Sequence, residues 1–313
     1  MVRIEKASAD VPSTNLLVYA DSGAGKTVFA GSDDRVLFIA PEDTGLMSTV
    51  RMGSKADKIK VREWPDLVEA YEYLDANRDL LKDYDWLAID SVTEMQSMLL
   101  RHLVNSQAEE RKRRDQDPDV PQIQDYQKLY ILIERFVLAF NDLPVNTIYT
   151  SLVRNVEDPD GNEFLMPMLG SNKPTDYRIA MKIASHMTSF GYFKVEVVEK
   201  PKDPSKPDGE QKKVRQRVVY WEDTGAYRGK DRTGRLAPKT VLPSRNALKS
   251  IRELIDGPAA PAKKAVAKKV AAKAVSDNSN EPESGQERAR SAQEKVDKEV
   301  DTESDMELSD VQA

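Results

Sequence analysis

The stretch "NLLVYADSGAGKTVFAG", residues 15–31, constrains this chain more than any other. An apolar run ends at Ala20, a glycine-bearing loop follows, and Gly25-Lys26-Thr27 opens a helix-compatible run. This is the order of a strand, a phosphate cradle and a helix: a small residue, four variable ones, then Gly-Lys-Thr. The backbone N–H groups of Asp21, Ser22, Gly23 and Ala24 must turn inward onto phosphate oxygens. Gly23 and Gly25 can take φ values closed to other residues. A helix starting near Gly25 adds its dipole at the β-phosphate. Lys26 reaches the β- and γ-phosphates, the Thr27 hydroxyl ligates Mg²⁺, and Val28 completes the set around the nucleotide. Ala20 stands where the usual pattern has its first glycine. That position closes the turn after the strand, and alanine fills it without strain when φ is negative.

A cradle of this kind expects a magnesium carboxylate at the end of a neighbouring strand. "YDWLAIDSV" (84–92) supplies Asp90, which faces the crevice outside a parallel sheet and holds Mg²⁺ with Thr27, through water. Hydrolysis further needs a carboxylate to orient water. "LFIAPEDTG" (37–45) places Glu42 just past a strand end at the same rim, with Asp43 as its fallback.

Four apolar runs, 15–20, 35–40, 85–90 and 145–151, read as buried strands. Helical patterns lie between them. "PDLVEAYEYLDANRDLL" (65–81) gathers Leu67, Ala70, Tyr71, Leu74 and Leu81 near one face, and 126–143 is apolar and long enough for a helix. With the cradle, the alternation predicts an α/β P-loop NTPase core: a mainly parallel sheet with helices on both faces. Beyond residue 185 two β-rich runs flank "PKDPSKPDGEQ" and predict a long antiparallel hairpin on the sheet edge. A closing helix follows over 244–255, with Ser244 as its N-cap.

The boundaries expected are an ATPase domain over 1–256 and a disordered tail over 257–313. Residues 257–274 carry five lysines and no acid, and residues 275–313 carry twelve acids against four bases. The formal net charge of −6 therefore leaves −3 on residues 1–256, so any nucleic-acid surface must be a local patch. The tail lacks aromatics and any apolar period, and cannot bury enough surface to offset its ordering entropy. With no cysteine, disulfides, thiolate zinc sites and cysteine nucleophiles are excluded. The two histidines, His102 and His186, lie far apart in sequence, which argues against a histidine-built metal site. No apolar run approaches membrane-spanning length and the start lacks a signal core, so a soluble cytoplasmic chain without membrane association is expected.

These motifs and their order resemble the RecA-like recombinase ATPases, and most closely the small phage-encoded ATPases of single-strand annealing and recombination, over residues 12–255. The resemblance implies that Glu42 in "VLFIAPED" activates water and that Asp90-Ser91 ends the magnesium strand. It implies that Ser151 in "TIYTSLVRN" senses the γ-phosphate. It places DNA-binding loops at "RNVEDPDGNEF" (154–164), with Arg154 and Asn155, and at "MLGSNKPTDY" (168–177), with Ser171, Asn172 and Lys173. It assigns Lys230 and Arg232 in "AYRGKDRTGRLAP" (226–238) to a neighbouring subunit's γ-phosphate, with Arg235 as the alternative. Cofactors implied are ATP and Mg²⁺. Partners implied are single-stranded DNA, further copies of the chain in a ring or filament, and a single-strand-binding protein; a phage-encoded member works in the host cytoplasm.

The expected function is DNA-dependent ATP hydrolysis in recombination, annealing or repair. Alternatives are a helicase loader or DNA-packaging motor, a non-catalytic ATP-binding mediator, and a small-molecule kinase with "EERKRRDQD" (109–117) as its lid.

Overall fold

β1 (Asn15–Ala20) and the short α1 (Lys26–Ala30) hold the cradle between them. There follow β2 (Val36–Ala40), α2 (Asp43–Arg51), β3 (Asp57–Lys60), α3 (Trp64–Ala76), a 3₁₀ turn over Arg78–Asp83, and β4 (Trp86–Ile89). The middle of the chain builds α4 (Val92–Ser106), α5 (Ala108–Arg113), α6 (Ile123–Asn141), β5 (Asn146–Glu157), β6 (Glu163–Pro167) and α7 (Arg178–Ser185). The last elements are β7 (Ser189–Pro201), β8 (Gln211–Tyr220), the two-residue β9 (Lys230–Asp231), β10 (Lys239–Leu242) and α8 (Ala247–Asp256). The computed structural model describes residues 13–257 except 42, 115–116 and 203–209, with residues 43–45 described in backbone only. The tail expectation therefore lies outside the described residues, as does Glu42.

Six strands run parallel in the order β7-β1-β5-β4-β2-β3, and β8 and β10 extend the sheet antiparallel beyond β7. This is the RecA-like arrangement, with helices on both faces and the antiparallel hairpin on one edge. The strands are buried on both sides because their residues alternate between two cores. Leu17 and Tyr19 of β1 join the core under α3, α4, α6 and α7, whereas Leu16, Val18 and Ala20 join the core under α1 and α8. Each fully buried leucine or valine contributes about 1.5–3 kcal/mol.

The structure differs from the sequence expectation at several places. β5 continues past residue 151 to Glu157 and pairs with β6, so 154–164 is an ordered hairpin instead of a loop. The carboxylate of Asp158 holds its turn, accepting from the backbone N–H of Asp160 at 3.0 Å and of Asn162 at 2.9 Å. β3, an edge strand of sequence DKIK, is largely exposed, so it carries no apolar run that could announce it. Asn246 at φ 54°, not Ser244, is the residue that precedes α8. Among the described residues no helix is long and apolar enough to cross a membrane.

Candidate functional site

The sheet register explains why the site forms. Ala20 pairs with Leu152, Val18 with Thr150 and Ile89 with Tyr149, so β1 and β4 both end beside the middle of β5. The loop after β1 and the carboxylate after β4 thus share the carboxyl edge of the sheet, where a parallel α/β sheet opens its crevice. Ala20 is fully buried and is not among the positive-φ residues, so alanine meets no steric penalty there. Gly23 (φ 75°) and Gly25 (φ 102°) do occupy the left-handed region. Asp21, Ser22 and Gly23 form the exposed rim of the loop, and Thr27 and Val28 are half-buried in α1. α1 spans only five residues, which leaves most of the phosphate cradle to the N–H groups of the loop itself.

Lys26 is buried, and its Nζ donates to the backbone carbonyls of Ala20 at 2.9 Å and Asp21 at 2.8 Å. Burial pulls its pKa below the usual lysine value, while the carboxylates of Asp90 and Asp21 oppose that shift. The ammonium is held across its own loop by neutral carbonyls, next to the carboxylate after β4. Asp90 accepts a hydrogen bond from the Thr150 hydroxyl. Ser91 caps α4, accepting from the Glu94 N–H at 3.3 Å, and fixes the turn that carries Asp90. Thr27 and Asp90 provide the hard oxygen donors that Mg²⁺ takes from proteins, which normally supply few ligands and leave the remainder to phosphate and water. That donor set fits the ion.

The parity of β5 redistributes the expected roles. Ser151 faces the α4 side: its hydroxyl lies 2.9 Å from Thr93 Oγ1, donates to Leu152 O at 2.9 Å and accepts from Met168 N at 3.2 Å. It is fully buried and ties β5 to α4 and to the segment after β6. Thr150, one residue earlier and on the α1 side, is the hydroxyl that reaches Asp90. The sequence does not separate the two, because both faces of β5 are covered there.

A second group was not visible in the sequence. The Arg217 guanidinium on β8 packs on Gly25, where a methyl group would come within 3.0 Å of Arg217 Nε. That Nε is buried and makes no hydrogen bond. A cleft of about 420 Å³ opens between Gly23 and Ala24, β8 and residues 241–244, and Arg217 lines it.

Residues 13–233, more than half of the chain, match an AAA domain family (AAA_24). The chain belongs to that AAA domain family. Among solved structures, a KaiC-like protein from the hyperthermophilic archaeon Pyrococcus horikoshii is similar at 16% identity, over 66% of this chain and 77% of its own, with a TM-score of 0.33. No curated protein matches. The family match and the glycine loop between β1 and α1 together make this AAA domain protein a P-loop ATPase.

The residues expected at DNA loops and at a neighbouring subunit's phosphate are mostly bound within their own chain. Arg154 donates to four backbone carbonyls, those of Leu169 (3.3 Å), Ser171 (2.6 Å), Lys173 (2.5 Å) and Asp176 (3.2 Å). Burial lowers its pKa, and the guanidinium braces the 168–177 segment from inside. Ser171 gives its hydroxyl to Asp176 at 2.5 Å, and Asn155 donates to Glu163 at 2.5 Å. Asn172 and Lys173 are exposed. Lys230 donates to Ala184 O at 2.9 Å and Arg232 to Ser185 O at 2.7 Å, so both cap the carboxyl end of α7. They sit where β9 pairs with the first residues of β7, at the sheet edge opposite the cradle. Arg235 is likewise bound, to Ile255 O. In the proposed kinase lid, Arg111 is turned inward onto Asp125 at 2.5 Å, with both side chains buried.

Proposed function

We propose that this ATPase couples ATP hydrolysis to single-stranded DNA, in annealing, recombination or repair of the phage type. The observation that carries the hydrolytic part is the meeting of Lys26, Asp90 and Thr150 at one sheet edge, with the Lys26 ammonium bound, among the described residues, only by neutral carbonyls of its own loop. Phosphate oxygens are stronger partners for that ammonium than amide carbonyls. Thr27 and Asp90 would hold Mg²⁺, which supplies charge neutralisation on the β- and γ-phosphates when bound. Thr150 keeps the Asp90 carboxylate oriented. Glu42 is our choice for the carboxylate that orients water.

Support for DNA comes from the β7–β8 hairpin beside the cradle. Lys213, Arg215 and Arg217 alternate along β8 and so share one face, which leads outward from Gly25. Lys213 and Arg215 are exposed, and the exposed Val197 stands directly opposite Arg215. Cations interleaved with apolar surface suit a phosphate backbone with unstacked bases. Asn172 and Lys173 are further contact candidates. Hydrolysis would drive release of the strand in the cytoplasm, with copies of the chain assembled along it and a single-strand-binding protein as the competitor for the same DNA.

The test is steady-state ATP turnover with and without single-stranded DNA. Stimulation by single strands is expected. Indifference to any nucleic acid points to a mediator, and stimulation by duplex ends to a motor.

A further inference from the structure

The hairpin strand β8 brings a cation to the cradle that no sequence motif announces. Its Arg217 pairs in register with Val195 of β7 and Leu242 of β10, so it projects from the middle of the antiparallel extension toward the face that carries α1. The guanidinium turns its Nε–Nη2 edge to Gly25, with Nε at 3.0 Å, Nη2 at 3.4 Å and the carbon at 3.5 Å from where a methyl group on that glycine would sit. The φ of 102° holds this position to glycine, and a Cβ there would in addition press on the arginine.

Arg217 stands out because no described residue uses it. Its Nε is buried without a hydrogen-bond partner, and no described residue forms an ion pair with it. A buried guanidinium N–H without an acceptor is destabilising, and folded proteins rarely keep one without a use. Other buried or half-buried arginines of this chain have their charge paired or bonded: Arg111 to Asp125, though its own Nε also lacks an acceptor, Arg154 to four carbonyls, Arg228 to Asp223. The cleft lined by Gly23, Ala24 and Arg217 gives a ligand a route to the free donor.

We propose that Arg217 is a phosphate-binding residue of the nucleotide site, supplied in cis by the β7–β8 hairpin. A guanidinium offers a planar fork to phosphate oxygens, which the point charge of Lys26 does not. The two cations would flank the cradle, Lys26 from α1 and Arg217 from β8. Because Arg215 and Lys213 continue the same strand face, occupancy of the nucleotide site restrains the root of the hairpin that we assign to DNA. The inference rests on the nucleotide-site reading, and the variants below separate the two.

The test compares wild type, Arg217→Met, Arg217→Lys and Lys26→Ala by calorimetric titration with ADP and with a non-hydrolysable ATP analogue, alongside melting temperatures without ligand. Arg217→Met is expected to melt at or above the wild-type temperature without nucleotide, since it removes an unsatisfied buried donor. It is expected to bind both nucleotides about 10- to 100-fold more weakly, as loss of a charge-assisted contact implies. Arg217→Lys should fall between. Wild-type affinity in Arg217→Met, with binding lost in Lys26→Ala, overturns the proposal and leaves the nucleotide site standing. A lowered ligand-free melting temperature in both Arg217 variants makes the side chain structural and also overturns it. No nucleotide binding by the wild type removes both readings.

Discussion

Two groups of polar side chains in this fold are used in opposite ways: those around the cradle, and those of the β5–β6 hairpin, the 168–177 segment and the end of α7. At the carboxyl edge, among the described residues, Lys26 bonds only carbonyls of its own loop, Arg217 Nε has no acceptor, and Asp90 faces a cation and a hydroxyl. In the β5–β6 hairpin, the 168–177 segment and the end of α7, most polar groups are closed onto one another, with the buried Asp176 Oδ1 an exception. Arg154 meets four carbonyls, Asp176 accepts from Ser171 and Tyr130, and Lys230 and Arg232 cap α7. Isolated unpaired atoms of Arg111, Asp125 and Asp176 belong to side chains that are already paired, whereas Arg217 is a cation without a described partner beside a phosphate cradle, which reads as reserved for an anion.

The largest effect belongs to the open edge. Lys26→Ala is expected to reduce ATP turnover by about 10³-fold or more, since it removes the charge that meets the transferring phosphoryl group. Glu42→Gln should abolish turnover while leaving nucleotide affinity near the wild-type value. Turnover assays paired with equilibrium binding separate the two, and unchanged turnover in Lys26→Ala would remove the site assignment.

Next in size is a pair on the closed side. Arg111 and Asp125 are 4% and 0% exposed, and Asp125 also caps α6 through the Gln122 N–H at 2.7 Å. Truncating one partner leaves a buried charge, so Arg111→Ala should cost about 3–5 kcal/mol in denaturant unfolding. ATP affinity per folded molecule should not change. A drop in affinity at unchanged stability would restore the lid reading of 109–117.

How much of this was legible follows from chain distance and from burial. The cradle and Asp90 were readable because each is a local signal: a glycine loop after an apolar run, and a carboxylate at a strand end. Thr150 was hidden behind Ser151, because a strand buried on both faces shows no alternation from which to read parity. The hairpin over 154–164 was hidden by the Asp-Pro-Asp-Gly turn, which looks like a loop until β6 pairs with β5. Arg217 could not be read at all. Its contact with Gly25 spans nearly the length of the domain and depends on β7 inserting beside β1. The family's polar positions likewise predicted Arg154, Lys230 and Arg232 by order along the chain, and order does not say which way a side chain turns.

A smaller effect tests the DNA role of Arg154. Arg154→Ala should destabilise by about 1–3 kcal/mol, through the loss of charge-assisted bonds to backbone carbonyls. If Arg154 instead contacts DNA phosphate, the dependence of log affinity on log salt should lose about one unit of slope. Arg215→Ala is where we expect that loss of slope.

The smallest effect sharpens the comparison at α7. Burial first, and the charge of Arg232 second, hold the Lys230 pKa at about 8, below the usual 10.5. The folded chain then binds fewer protons than the unfolded chain between about pH 8 and 10.5, so this group's contribution to stability rises with pH across that window. Melting temperatures of wild type and Lys230→Met should therefore change relative to each other, with wild type gaining as the pH increases from 8 to 10. The same titration with nucleotide present separates the two roles of Lys230. A cap on α7 responds to pH alike with and without nucleotide. An ammonium that reaches a neighbouring copy's phosphate gains an anionic partner, its pKa rises, and the trend over that window disappears when nucleotide is added.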